Sequence, residues 1–363
     1  MSQRVVYLNH AGVAPVSSRA AEALERYLGE ATTHGAQDYA ERYEREIERV
    51  RGRCARLIGA RPEEVAFVKN TTEGIGLVAA GLDWRPGDRV VTCDLEYPSN
   101  VLPWQSLASR GVETVLLRGV DGRLPLDAVA AALDARSARL LALSSVEFGS
   151  GARNDLAALG QLCRERGVLF CVDAIQSVGC LDLDVHALGI DFLSADGHKW
   201  MLSVEGCGVF YCAHRLLDQV EPRVVGWRNV ASWGDYDRYD LTLRDTAARF
   251  EEGTPNTGGI FALGGAVDLL LELTVPAIEE RVLGLTEHLV EGLRRRGAQL
   301  RSPRGPGEES GIVSFTLDDE PPEETGRRLQ ERGFFVAVRR GGVRASPHFY
   351  NTPAELDALL EAL

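Results

Sequence analysis

Two short stretches decide how this chain folds: Val172-Asp173-Ala174-Ile175-Gln176 and Ala195-Asp196-Gly197-His198-Lys199-Trp200. Each is entered from an apolar, β-branched run, Val168–Val172 and Asp191–Ala195, that reads as a strand covered on both faces. Each then delivers a charged residue at the strand end. A carboxylate at Asp173 has to find a cation or strong donors, because an unpaired buried charge is costly. Lys199 follows the next strand under the same constraint. The 26 positions between the two residues leave room for one crossover helix and a neighbouring strand. Both groups therefore open into one pocket at the same edge of a sheet.

The same pattern extends outward. Val65–Val68, Arg89–Thr92, Val112–Leu117, Arg139–Ser144 and Gly208–Cys212 are further short apolar runs. Helical patterns lie between several of them. Residues 38–58 put Tyr43, Ile47, Val50, Cys54 and Leu57 on one stripe before Gly59, and residues 154–166 end at Gly167. Strand–helix alternation of this kind means an α/β protein with a mainly parallel sheet and functional groups at the strand ends. After about residue 260 the pattern changes. A helix from Pro276 to Arg296 carries Ile278, Val282, Leu285, Leu289 and Leu293 on one face. Strands Ile312–Leu317 and Phe334–Val338 flank a charged helix, and a capping box, Thr352-Pro353-Ala354-Glu355, opens a last one. This is a smaller α+β layer.

The chain has 363 residues, 45% hydrophobic and 26% charged, with a net charge of −13. That balance gives no electrostatic footprint for nucleic acid or an anionic membrane. The basic run Arg294-Arg295-Arg296 sits at a helix end, where it complements the dipole. No window approaches 18 consecutive apolar residues, and Met1–Val6 lacks the regions of a secretory signal, so a cytoplasmic location is expected. Seven scattered cysteines without a CxxC pair argue against a zinc cluster or a disulfide framework and for buried free thiols. No metal is expected.

A lysine forms an imine with an aldehyde cofactor, and an aspartate keeps a pyridine nitrogen protonated so that the ring becomes an electron sink. Asn70-Thr71-Thr72-Glu73-Gly74, after a strand and before a helix, offers backbone N–H groups to an anion, although it also reads as an ordinary N-cap. With D-A-I-Q (173–176), G-H-K-W (197–200), R-F-E-E-G-T-P-N (249–256) and R-A-S-P-H-F-Y-N-T (344–352) in that order, the chain resembles the class V aminotransferase family of fold-type I pyridoxal 5′-phosphate (PLP) enzymes. That family includes cysteine desulfurases, selenocysteine lyase and isopenicillin N epimerase. The resemblance runs from Tyr7-Leu8-Asn9-His10-Ala11-Gly12 to Thr352.

The resemblance implies a mainly parallel seven-stranded sheet with helices on both faces, plus a small α+β C-terminal domain. The large domain would span residues 17–260, and the small domain residues 1–16 and 261–363. It implies PLP held by Lys199 as a Schiff base, with Asp173 on the ring nitrogen, Thr71 and Thr72 on the phosphate, and His198 and Gln176 completing the contacts. Tyr97, in Glu96-Tyr97-Pro98-Ser99-Asn100, falls where desulfurases stack a histidine on the ring; the alternative is a core tyrosine. Arg344 would clamp the substrate carboxylate. Thr254 would reach the phosphate of a partner subunit, which implies a homodimer with shared active sites. Asp196 stands where the family usually has Ser; an acid beside phosphate repels it, so Asp196 is expected to point away or support a donor. The loop 334–344, FFVAVRRGGVR, lacks the nucleophilic cysteine of desulfurases, and no cysteine follows Cys212. Lys199 would then act as the base at Cα of an amino acid. Transamination, the leading expectation, β-elimination and epimerisation all use the same residues.

Overall fold

The structure, a computed structural model, describes residues 5–135 and 137–363; residues 1–4 of the expected N-terminal arm lie outside them. An arm strand, β1 (Val6–Tyr7), precedes β2 (Val65–Val68), β3 (Arg89–Cys93), β4 (Glu113–Leu117), β5 (Ala138–Ser144), β6 (Leu169–Asp173), β7 (Phe192–Asp196) and β8 (Gly208–Cys212). The last seven form one sheet in the order β2-β8-β7-β6-β5-β3-β4. Every neighbouring pair is parallel except those made by β8, which runs antiparallel to both β2 and β7. The reason is connection length: residues 197–207 join β7 to β8 without a crossover helix, so the chain can only turn back.

The helices in the first part are α1 (Ser18–His34), α2 (Arg45–Leu57), α3 (Thr71–Gly81), α4 (Leu102–Gln105), α5 (Leu126–Leu133), α6 (Leu156–Arg166) and α7 (Val185–Leu188). The crossovers carrying α3 and α4 move along the sheet in one direction, and those carrying α5, α6 and α7 move back. Right-handed connections put the two groups on opposite faces. Accordingly α3 touches α4, and α6 touches both α5 and α7. The single helix expected over 38–58 is instead a wide turn, Ala40–Glu44, leading into α2. The stripe itself is as expected: Tyr43, Ile47, Val50, Cys54 and Leu57 are all buried.

The later part contains α8 (Thr257–Leu273), α9 (Val275–Arg295), β9 (Gln299–Leu300), β10 (Val313–Thr316), α10 (Pro322–Glu331), β11 (Phe334–Phe335), β12 (Ala337–Arg339), β13 (Gly342–Ala345) and α11 (Pro353–Ala362). The antiparallel order β12-β13-β10-β9 makes a second sheet. The strand expected over Phe334–Val338 is two strands. β11 pairs in parallel with the arm strand β1, and β12 pairs with β13, so the chain changes partners at Val336. The expected boundary at residue 260 falls inside α8, which packs on α1 and α2. The passage between the two apolar cores lies within α9. Val275, Ile278 and Val282 belong to the large core, and Leu285, Leu289 and Leu293 to the second, which also takes Leu8 of the arm. No single helix among the described residues is long and apolar enough to cross a membrane.

Candidate active site

At the carboxyl edge of the large sheet, a cavity of about 410 Å³ receives Thr71, Thr72, Tyr97, Asp173, Gln176, His198, Lys199 and Arg344. Sequence distances of up to 273 residues thus converge in one place. A larger cavity of about 630 Å³, lined by Leu124, Leu156 and Leu181 among others, lacks any lysine and lies elsewhere. Chemistry, not size, identifies the site.

Asp173 ends β6 and is buried, with Oδ1 accepting from the Ile175 amide at 3.0 Å. Burial pushes its carboxyl up to about 6, against the pull of the Ile175 amide and of Lys199. Lys199 follows β7. Burial brings its amine down to about 8, opposed by Asp173 and reinforced by Arg344. An amine so displaced is substantially neutral near pH 8 and is therefore a nucleophile and a base. The chain has only one other lysine, Lys69, which is exposed and paired with Glu73 at 3.2 Å.

Thr71 and Thr72 open α3 behind Asn70, whose Oδ1 accepts from Glu73 N at 2.9 Å. The N-cap reading therefore holds, and it leaves the first amides of the helix without intrahelical acceptors, as an anion site requires. Thr71 Oγ1 accepts from the Asp196 amide at 3.1 Å, and Thr72 Oγ1 donates to Ser99 Oγ at 2.8 Å. Asp196 turns back on its own loop. Its Oδ1 accepts from Gly197 N at 2.7 Å, and its Oδ2 lies 2.9 Å from His198 Nδ1, off the hydrogen-bonding direction.

Tyr97 is half exposed, its ring forming a wall of the cavity edge-on to Phe148 at 5.2 Å and 5.9 Å from Lys199 Nζ. It is not a core tyrosine. Gln176 is buried with its amide engaged: Nε2 donates to Ala11 O at 3.1 Å and Oε1 accepts from Trp200 Nε1 at 2.9 Å. One amide hydrogen remains for a ligand. Arg344, only 2% exposed, donates from Nη1 to Phe148 O at 2.7 Å and from Nη2 to Asn9 Oδ1 at 3.2 Å. Its Nε is buried without a partner.

Thr254 is the exception. It lines a different cavity, of about 190 Å³, with Phe67, Glu73 and Asn256. Within one chain it does not meet Lys199. Conversely, Ala11, Gly12, Phe148 and Arg339 line the site and were not singled out by sequence reasoning. Gly12 and Ala11 lie in the N-H-A-G stretch that carries the resemblance; Phe148 and Arg339 had no such signal. Behind Tyr97 and Phe148 lie two buried acids. Glu96 accepts from Ser144 N and Oγ, each at 2.5 Å, and Glu147 accepts from Asn154 Nδ2 at 2.9 Å. Burial and mutual repulsion push Glu96 well above the usual carboxylate range, and burial takes Glu147 to about 7. The seven cysteines are all free and buried, and none lines the cavity among the described residues.

These residues fit PLP: a poised amine for its aldehyde, an acid for its ring nitrogen, and a helix N-terminus for its phosphate. The comparisons agree. A model of the aminotransferase class-V family matches residues 6–359. The chain is 31% identical to a probable cysteine desulfurase of Methanothermobacter thermautotrophicus, covering 99% of this chain and 94% of that protein. It is 34% identical to a cysteine desulfurase of Klebsiella pneumoniae, covering 99% and 93%. Among solved structures, a cysteine desulfurase of Thermococcus onnurineus superposes with a TM-score of 0.88 at 29% identity over 98% of this chain and 93% of that one. The cystine C–S lyase C-DES superposes with a TM-score of 0.91 at 25% identity over 99% and 97%. A variant of the same lyase carries its ligand linked to the PLP cofactor. The chain belongs to the class V aminotransferase family and is a fold-type I, PLP-dependent enzyme.

Proposed function

We propose that this enzyme cleaves a carbon–sulfur bond by β-elimination from an amino acid, without passing the sulfur through a cysteine of its own. The observation that carries this reading is the thiol-free cavity: all seven cysteines are buried, and none lines it. The relatives are desulfurases, and a close structural neighbour is described as a cystine C–S lyase. Sulfur chemistry is therefore a better guide than amino-group transfer, which the same residues also permit.

PLP, when bound, supplies an aldehyde for the substrate amine and a ring that delocalises charge from Cα. The chain supplies the rest. Lys199 Nζ would hold the cofactor, and as a free amine it would take the Cα proton. Asp173 would keep a proton on the ring nitrogen. The N-terminus of α3, with Thr71 and Thr72, would hold the phosphate, and Gln176, His198 and Tyr97 would hold the ring. Arg344 orients the substrate carboxylate. The sulfur departs with the electrons of its bond to Cβ.

The working unit in this reading is a cytoplasmic homodimer. Thr254 stands apart from its own cavity and would serve the partner's phosphate. Val224, Tyr236, Tyr239 and Leu241 form an exposed apolar loop that suits a partner surface.

Product analysis with L-cysteine and L-cystine tests the proposal. Elimination yields pyruvate and ammonia with the released sulfur, and intact-protein mass shows no added sulfur during turnover. Alanine with a persulfide on the protein would refute it, as would conversion that occurs only when a 2-oxo acid is added.

A further inference from the structure

Among the described residues, Arg344 is a buried cation without an acid partner. Its two Nη groups are engaged by neutral acceptors, the Phe148 carbonyl and the Asn9 carboxamide. Its Nε is buried and unpartnered. A guanidinium with this surplus of charge, lining the cavity, is built to receive an anion.

Asn9 comes to Arg344 through the arm. β1 pairs with β11, and the arm then runs beside the end of β13. Ser346 N donates to Leu8 O at 2.7 Å, and Ala11 N donates to Ser346 Oγ at 3.0 Å. Asn9 bridges to Ser346, two residues beyond Arg344. The chain then turns, with Gly12 N donating to Asn9 O at 3.0 Å. A Cβ at Gly12 would sit 2.6 Å from Asn9 Nδ2, so the glycine leaves room for that carboxamide. Ala11, Gly12 and Val13 of the same turn line the cavity.

We propose that Asn9 is a positioning residue for the substrate carboxylate: it fixes one Nη of Arg344 through a neutral oxygen, leaving the full positive charge to the ligand. The inference rests on the reading of Arg344 as the carboxylate clamp. An amide suits the task where an acid does not. An Asp here would close an ion pair with Arg344 and repel the incoming carboxylate. An apolar side chain would leave Nη2 buried and unbonded.

The test uses the PLP-loaded enzyme and two amines that share every group but one. L-Alanine carries the carboxylate, and isopropylamine has a methyl in its place. Each is titrated against the visible absorbance band, with thermal stability and cofactor content as folding controls. Asn9→Ala is expected to weaken alanine about tenfold and leave isopropylamine unchanged. Asn9→Asp, nearly isosteric, is expected to weaken alanine about a hundredfold, again without effect on isopropylamine. Arg344→Ala should abolish the preference for alanine. If Arg344→Ala does so while both Asn9 variants bind alanine as the parent does, the Asn9 inference is wrong and the clamp stands. If Arg344→Ala itself leaves the preference intact, the clamp reading fails and the Asn9 inference falls with it.

Discussion

Lys199 and Asp173 are displaced toward each other's range by the same force. Burial penalises both charged forms, bringing the amine from 10.5 to about 8 and the carboxyl from 3.8 to about 6. The first shift has a kinetic consequence. Capture of PLP by the apo-protein needs the neutral amine, so its rate should climb through about pH 8 and level off above it. Recovery of the visible band after adding PLP, followed across pH, reads this directly; a rate still rising near pH 10 would mean an unperturbed lysine. Asp173→Asn should keep much of the cofactor yet lose most turnover, because a neutral amide cannot hold the ring nitrogen protonated. Near-parental turnover would remove Asp173 from the mechanism. Glu147 offers a test in stability. Its folded-state value of about 7 exceeds the ordinary 4.5, so between those values the folded chain keeps a proton that the unfolded chain has released. This stabilisation is complete below about 4.5 and is lost as pH rises through about 7. His10 and His348, which burial holds at about 4 and about 3, act in the opposite direction below 6.5, and they do so equally in parent and variant. Glu147→Gln should therefore melt progressively higher than the parent as pH is raised from about 5 to about 8. A constant offset between the two melting curves would show that Glu147 is ionised in the fold.

At the scale of elements, the site depends on how closely α3 lies on β7. Gly74 makes that approach, since a Cβ there would come within 2.8 Å of Ser194 Cβ and 3.2 Å of Phe210. Gly74→Ala should lift the first turn of α3, which carries Thr71 and Thr72. A loss of about 1–3 kcal/mol in stability and weaker PLP retention should follow. Both are measurable on one preparation, and unchanged PLP affinity would detach the phosphate role from this helix. The strands that deliver Asp173 and Lys199 were legible because fully buried parallel strands are continuous apolar runs with charge only at their ends. The two-residue pairing of β1 with β11 was not: so short a strand has no period, and its partner lies 328 positions away. Phe148 and Arg339 were missed for a related reason. They enter the site through the geometry of loops, which a linear pattern does not encode. α8 escaped because its small residues, buried against α1 and α2, blur the apolar stripe that marks a helix.

The whole molecule joins two cores through α9 and closes the cavity with an arm from the far end of the chain. Loop residues Tyr239 and Leu241, 99% and 78% exposed, lie on the surface assigned here to a second copy. Tyr239→Asp with Leu241→Asp should shift the protein from dimer to monomer in sedimentation and lower PLP retention, because Thr254 then has no partner site to serve. A parent that sediments as a monomer with full cofactor would end the shared-site proposal. The chemistry turns on a single covalent bond to Lys199. With two lysines in the chain, borohydride reduction of the PLP-loaded enzyme and peptide mapping has two possible positive answers. The predicted result is a phosphopyridoxyl label on Lys199 alone. A label on Lys69, or a cofactor that washes away unreduced, would contradict it.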